Sequence, residues 1–273
     1  MNSSESNDSY RLRRGASPLL VSMPHIGTVI PGELARAYVP RALALEDTDW
    51  HLDRLYDFLA GLDATLLQAR TSRYVIDLNR PPDDAPMYPG AANTELCPTR
   101  FFSGEALYRE GCAPTAQERL RRREVWWQPY HTALEQEIER IRAQHGHVLL
   151  WDAHSIRSVI PWLFEGRLPD LNIGTAGGAS ADAAVADAVV RACAAAPGVS
   201  SVVNGRFKGG YITRHYGRPQ QQVHAIQLEM CQCCYMQELP PFAFDPQRAA
   251  LIAPLLRRMM ERALVAAACC HGR

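Results

Sequence analysis

Three positions far apart in the chain set a reactive side chain at the end of an apolar run: His25 after 18–22, His154 after 148–151, and Glu229 within 224–230. Two imidazoles and a carboxylate that leave one position open are what a catalytic zinc needs, and a further carboxylate can take the proton from a water molecule. The acidic segment Asp47-Thr48-Asp49 follows His25 and supplies more carboxylates. A carboxylate at the end of an apolar strand, as at Glu229, is costly to bury without a partner or a purpose. The spacing is not that of a local metal motif such as HExxH, so these groups meet only if the fold brings different strand ends together.

Strands must deliver them. Gly146-His147-Val148-Leu149-Leu150-Trp151-Asp152-Ala153-His154-Ser155 is a β-favouring apolar run with a Gly before it and polar groups after it, a buried strand whose carboxyl end opens on a cleft. In open α/β sheets ligands bind outside the carboxyl ends of the strands. Further strands are predicted at 18–22, 64–69, 74–78, 199–203 and 224–230. The spacing of Leu52, Leu55, Tyr56 and Leu59 predicts a helix within 45–59, with Asp47, Thr48 or Asp49 as its N-cap. A long helical region at 115–144 buries Trp127, Tyr130, Leu134, Ile138 and Ile141; Pro129 kinks or divides it and Gly146 ends it. Helices at 182–196 and 247–268 complete an α/β pattern.

The loops carry the cations. Arg80, held by Pro81 and Pro82 at the end of 74–78, is placed to grip a carboxylate through its planar fork. The segment 81–104 is rich in Pro, Gly, Asn and Thr and long enough to be a functional loop over the cleft. A second long loop, 156–180, carries Arg157, Asn172 and a glycine run that matches neither GxxxxGK[ST] nor GxGxxG, which argues against nucleotide binding. In 204–217 glycines alternate with Arg206, Tyr211, Arg214 and His215, which could meet substrate charge.

The 29 basic and 29 acidic residues cancel, so no overall field recruits nucleic acid or an anionic membrane, and any anionic ligand must be recognised locally. Residues 1–14 are polar, without a signal-peptide core, and are expected to be a flexible tail, as are 269–273; the protein is expected to be cytoplasmic. Eight cysteines, among them the adjacent pairs Cys233-Cys234 and Cys269-Cys270, are read as free thiols.

Pro24-His25-x-Gly27, Asp47-Thr48-Asp49-Trp50-His51, Ser72-Arg73-Tyr74-Val75-Ile76-Asp77-Leu78-Asn79-Arg80-Pro81, Trp151-Asp152-Ala153-His154-Ser155, Asn204-Gly205-Arg206-Phe207-Lys208-Gly209-Gly210-Tyr211 and Gln227-Leu228-Glu229-Met230 together resemble the N-formylglutamate deformylases (N-formylglutamate amidohydrolases). The resemblance covers 18–264 in order and implies a single domain over 15–268. It implies a three-layer α/β/α fold with a central mixed sheet, like the zinc carboxypeptidases and aspartoacylases. It also implies hydrolysis of N-formyl-L-glutamate to L-glutamate and formate, in histidine degradation, as the activity. One divalent ion is implied as cofactor, zinc by resemblance, with cobalt or another divalent ion as alternatives. In the zinc relatives a Glu follows the first metal-binding His by three residues; position 28 here is Thr, so the carboxylate must come from elsewhere. Asp49 is assigned that role beside His25 and His154, with Asp47 as its substitute. Glu229 corresponds to the general base and Asn79-Arg80 to the pair holding the terminal carboxylate, with Arg157 or Arg214 and Tyr211 as further substrate contacts. The alternatives are a deacylase for another N-acyl or N-formimino amino acid, and a non-catalytic relative that binds metal or a small molecule.

Overall fold

Alternation along three central strands decides the architecture. In β3 (Leu19–Met23), β5 (Val148–Ile156) and β8 (Val223–Cys231) every residue is buried, and successive residues point to opposite faces. Leu19, Val21, Leu149, Trp151, Ala153, Ile226 and Leu228 enter one core, while Leu20, Val148, Leu150, Val223 and Ala225 enter the other. Both faces must therefore be covered. One is covered by α2 (Leu52–Leu55), α5 (Ala183–Ala194) and α7 (Pro246–His271). The other is covered by α4 (Gln128–His145) and by the segments around 34–45, 74–78 and 96–108. This is the three-layer α/β/α arrangement expected.

The computed structural model describes residues 4–87 and 93–271. Its eight strands run in the order β1-β2-β4-β3-β5-β8-β6-β7, the others being β1 (Ser4–Ser6), β2 (Tyr10–Arg13), β4 (Thr65–Ala69), β6 (Leu171–Gly174) and β7 (Ser201–Val203). The centre is parallel, β4-β3-β5-β8, and the pairs β1-β2, β2-β4 and β6-β8 are antiparallel, so the sheet is mixed. Three further helices, α1 (Gly32–Ala35), α3 (Ala116–Arg122) and α6 (Tyr211–Tyr216), sit in the connections. No helix among the described residues is long and apolar enough to cross a membrane.

Several expectations are corrected. Residues 74–78 form buried turns instead of a strand, because local side chains take the backbone groups a ladder would need. Ser72 Oγ accepts from Tyr74 N at 3.2 Å and Asp77 Oδ1 from Asn79 N at 2.9 Å. The helix within 45–59 is only the single turn α2 followed by a 3-10 turn, Asp57–Leu62, and His51 rather than an aspartate stands at its N-cap. Residues 4–13 of the expected tail join the sheet, with Leu12 buried against β4; one buried leucine among polar residues leaves no periodic signal. At the other end α7 continues through 269 and 270 to His271. The loop 156–180 contains β6, whose four residues are too few to show a period. The helical region 115–144 is α3, a π-helical stretch Arg123–Trp127 and α4, with Pro129 in the first turn of α4 and Gly146, at φ 77°, ending it. Residues 88–92 of the 81–104 loop lie outside the described residues.

Candidate active site

The parity that fills the second core also builds the site. Following Val148 and Leu150 along the same face of β5, the next inward residues are Asp152 and His154; on β8, after Val223 and Ala225, they are Gln227 and Glu229. The parallel register sets His154 beside Glu229 and Asp152 beside Gln227. The apolar half of each strand anchors the sheet and the polar half opens at its carboxyl end. His25 arrives from the turn after β3, and Asp49 N donates to His25 O at 3.1 Å, which fixes the acidic segment against that turn.

Three atoms converge. His25 Nδ1 and His154 Nδ1 are 3.1 Å apart, and Asp49 Oδ2 lies 3.3 Å from His154 Nδ1 and 3.8 Å from His25 Nδ1. The outer nitrogens of both rings face carboxylates: His25 Nε2 is 2.6 Å from Asp77 Oδ1 and His154 Nε2 is 3.1 Å from Asp152 Oδ2. A carboxylate only accepts, so each Nε2 carries the proton and each Nδ1 lone pair turns inward. Both oxygens of the buried Asp49 carboxylate lack a hydrogen-bond partner. Two lone pairs and an unsatisfied carboxylate pointed at one spot repel one another unless a cation stands between them. The donor set therefore fits a divalent metal ion at His25, Asp49 and His154.

Asp47, the substitute ligand, is spent elsewhere. Its Oδ2 accepts from Tyr74 Oη and Phe102 N, both at 2.9 Å, and its Oδ1 from Arg157 Nη2 at 2.8 Å.

The charges respond to one another. Burial depresses the His154 imidazolium, but Asp152, Asp49 and Glu229 outweigh it and the net shift is well upward, a sign that the spot attracts positive charge. His25 moves down, through burial and then Arg73, against the pull of Asp77 and Asp49. For Asp77 burial is overcome by His25, Arg80 and Arg73, which hold it well below the carboxylate range. Burial, reinforced by the Asp49 charge and opposed by His154 and Arg73, pushes Glu229 up to about 8.

Around this centre the cleft is lined by Arg73, Arg80, Thr94, Phe102, Arg206, Phe207, Gln227 and Glu229, among others. Arg80 reaches it with Nε and Nη2 on Thr94 (2.9 and 2.6 Å) and Nη1 on its own neighbour's carbonyl, Asn79 O, at 3.0 Å. Asn79 lines the cleft too, but its amide is a brace: Nδ2 donates to Asp152 at 3.1 Å and lies 2.9 Å from His154 Nε2, while Oδ1 accepts from Ile212 N at 2.8 Å. Gly210 presses on that amide so closely that a Cβ would come within 2.4 Å of Asn79 Nδ2. Of the remaining expected substrate contacts, Arg157 is paired with Asp47, Arg214 donates to Gly209 O at 2.7 Å, and Tyr211 stacks with His215; none lines the cleft.

Two cleft residues escaped assignment from the sequence. Arg206 stood in the glycine-rich loop as one cation among several, and nothing in its neighbours distinguishes it from Arg214. Arg73 is buried, with Nη2 2.9 Å from Asp77 Oδ2, Nη1 3.6 Å from Asp49 Oδ1 and its guanidinium over Phe102 at 4.5 Å. Its flanking residues read as a turn before a strand, so the only available signal was a cation four residues before Asp77.

Comparison with known proteins places this arrangement among relatives. The family model of N-formylglutamate amidohydrolase matches residues 17–236. The chain is 53% identical over 252 residues to an N-formylglutamate deformylase of Pseudomonas aeruginosa, covering 92% of this chain and 94% of that one. To an N-formylglutamate deformylase of Pseudomonas putida it is 49% identical over 251 residues, with the same coverage of 92% and 94%. The crystal structure of N-formylglutamate amidohydrolase from Ralstonia eutropha JMP134 superposes with a TM-score of 0.78 at 25% identity, covering 96% of this chain and 97% of that one.

Proposed function

The chain belongs to the N-formylglutamate amidohydrolase family, and from that premise we propose that it is an N-formylglutamate deformylase, hydrolysing N-formyl-L-glutamate to L-glutamate and formate. The observation that carries the chemistry is the convergence of His25 Nδ1, His154 Nδ1 and an Asp49 carboxylate that accepts no hydrogen bond, beside Glu229. A divalent ion held by those three residues, zinc or alternatively cobalt, would lower the pKa of a water molecule toward about 7 and draw charge from the formyl oxygen.

The chain's own groups do the rest. Glu229 accepts a proton from the attacking water as its oxygen bonds to the formyl carbon, and returns that proton to the amine nitrogen as the C–N bond breaks. A buried carboxylate holds that proton more firmly than one in water, which suits its delivery to the amine. Asp77 and Asp152 fix the ring orientations of His25 and His154, and Asn79 braces Asp152.

A substrate with two carboxylates calls for two cations. Arg80 takes the α-carboxylate and Arg206 the side-chain carboxylate, while Arg73 stays committed to Asp77 and Asp49. Removal of either substrate cation is expected to cost about 1.5–3 kcal/mol of charge-assisted hydrogen bonding, roughly 10- to 100-fold in kcat/KM. The test compares N-formyl-L-glutamate with N-formyl-L-alanine and N-acetyl-L-glutamate, in the parent chain and in Arg206→Ala. The parent should prefer the formylated acidic substrate, and Arg206→Ala should lose activity on it while its activity on N-formyl-L-alanine stays nearly unchanged. Equal losses on both would make Arg206 a structural residue, and preference for the N-acetyl substrate would discard the formyl specificity.

A further inference from the structure

Past Glu229, β8 ends at Cys231 and the chain turns through a single 3-10 turn, Gln232–Cys234. The turn brings sulfur against the loop that precedes β6. Asp170, Cys233 and Cys234 each present one donor atom, all within 4.8 Å of one another; apart from His25, Asp49 and His154, no other such cluster occurs among the described residues. The neighbouring Cys231 thiol is engaged outside the cluster, donating to Pro169 O at 3.2 Å.

The position is built. Asp170 O accepts from Cys231 N at 2.9 Å, and Asp170 Oδ2 accepts from Ser200 N and Oγ at 3.0 and 2.7 Å. The turn itself is held by Glu238 Oε1, which accepts from Cys233 N at 3.0 Å and Ser158 N at 2.7 Å. Asp170 Oδ1 faces the sulfurs, and Arg167 Nη2 stands at 3.2 Å from it and 3.1 Å from Cys233 Sγ. A guanidinium from a half-exposed side chain thus occupies the place of a cation, and an exposed ion pair of this kind is cheap to displace.

We propose that Asp170, Cys233 and Cys234 form a second binding site for a thiophilic divalent cation of the Zn2+ class. Two sulfurs and one carboxylate oxygen, with solvent as the fourth donor, suit tetrahedral Zn2+, and sulfur sets the site apart in kind from the nitrogen and oxygen donors at His25, His154 and Asp49. On binding, the coordinating thiols release their protons to solvent, and the ion replaces Arg167 as the positive partner. The site also touches the cleft: Cys231, Cys233 and Cys234 share a hydrophobic cluster with Phe102, Ile156, Leu163 and Phe207, all of which line the catalytic cleft. An ion there ties the 167–170 loop to the end of β8 and stiffens that wall.

The test titrates the metal-stripped full chain with Co2+ under a phosphine reductant and follows the near-ultraviolet sulfur-to-cobalt charge-transfer band together with bound cobalt. The parent should bind two equivalents and show the band. Cys233→Ser/Cys234→Ser should bind one equivalent, lack the band, and still release formate from N-formyl-L-glutamate. His25→Ala/His154→Ala should keep the band and lose the other equivalent, so the sulfur site is read even in a chain that has lost the reaction. A parent chain that binds two equivalents without a sulfur band, or that binds only one, overturns the proposal. So does a band that survives in Cys233→Ser/Cys234→Ser.

Discussion

Two buried histidines, His131 and His154, lie on the same face of the sheet in different company, and they behave oppositely. His131 on α4 stacks on Trp127 with ring centroids 3.8 Å apart, donates through Nε2 to Leu78 O at 2.8 Å, and meets Tyr216 Oη at 3.0 Å through Nδ1. Every partner is neutral. Burial, only partly offset by the Leu78 carbonyl and assisted by His215, pushes its pKa down to about 3. His154 is as deeply buried, yet it moves upward, because Asp152, Asp49 and Glu229 surround it. Burial among neutral partners silences His131; at His154 three carboxylates reverse the shift and favour a cation.

The largest expected effect breaks the charged group directly. His154→Ala or Asp49→Ala should abolish stoichiometric metal binding and bring formate release to background, as read by metal analysis and turnover of the same preparation. Retained turnover in a chain shown to lack metal would dissolve the distinction between the two groups. Next in size, Glu229→Gln should leave bound metal unchanged and lower kcat by about 10²- to 10⁴-fold, the usual range for a general acid–base group. Near-normal kcat would remove Glu229 from the proton path.

Asp77→Asn sharpens the comparison from outside the ligand set. It replaces the carboxylate on His25 Nε2 with a neutral partner of the kind His131 has, and metal affinity should fall by about 10- to 100-fold with activity recovered at excess metal. Activity lost at saturating metal would assign Asp77 a role beyond orienting His25.

The smallest effect on catalysis belongs to the silent histidine. His131→Phe should leave kcat and metal content within a few-fold of the parent but destabilise the fold by about 1–3 kcal/mol, through the Leu78 carbonyl left without its donor. It should also change the response to acid. Between the ordinary imidazole value of 6.5 and about 3, the unfolded chain binds a proton at His131 that the folded chain does not. Stability is therefore fully present above 6.5 and falls as pH drops, by up to about 1.4 kcal/mol per unit. Denaturation midpoints measured across that range should fall less steeply for His131→Phe than for the parent; parallel slopes would mean that His131 is protonated in the fold.

Sequence carried the strands and their ends better than the connections. The apolar runs at 18–22, 148–151 and 224–230 are buried on both faces, a state visible as unbroken hydrophobicity, and they carry or lead to His25, His154 and Glu229. The segment 74–78 looks just as apolar, but Ser72 and Asp77 capture its backbone in turns, and pairing of that kind depends on geometry that a run of residue types does not encode. The aspartates at 47 and 49 read alike as helix caps; only the fold shows one saturated by Tyr74, Phe102 and Arg157 and the other left with unpaired oxygens. For the arginines the limit is sharper still. With 28 of the 29 basic residues arginine, type carries little information, and position in three dimensions separates Arg206 in the cleft from Arg157 and Arg214 outside it.

The most direct test of the account is formate release from N-formyl-L-glutamate by the metal-stripped chain, before and after Zn2+ is returned. The stripped chain should release none and recover on readdition of the ion, and His25→Ala/His154→Ala should not recover. Full activity in a chain verified to be free of metal would contradict it.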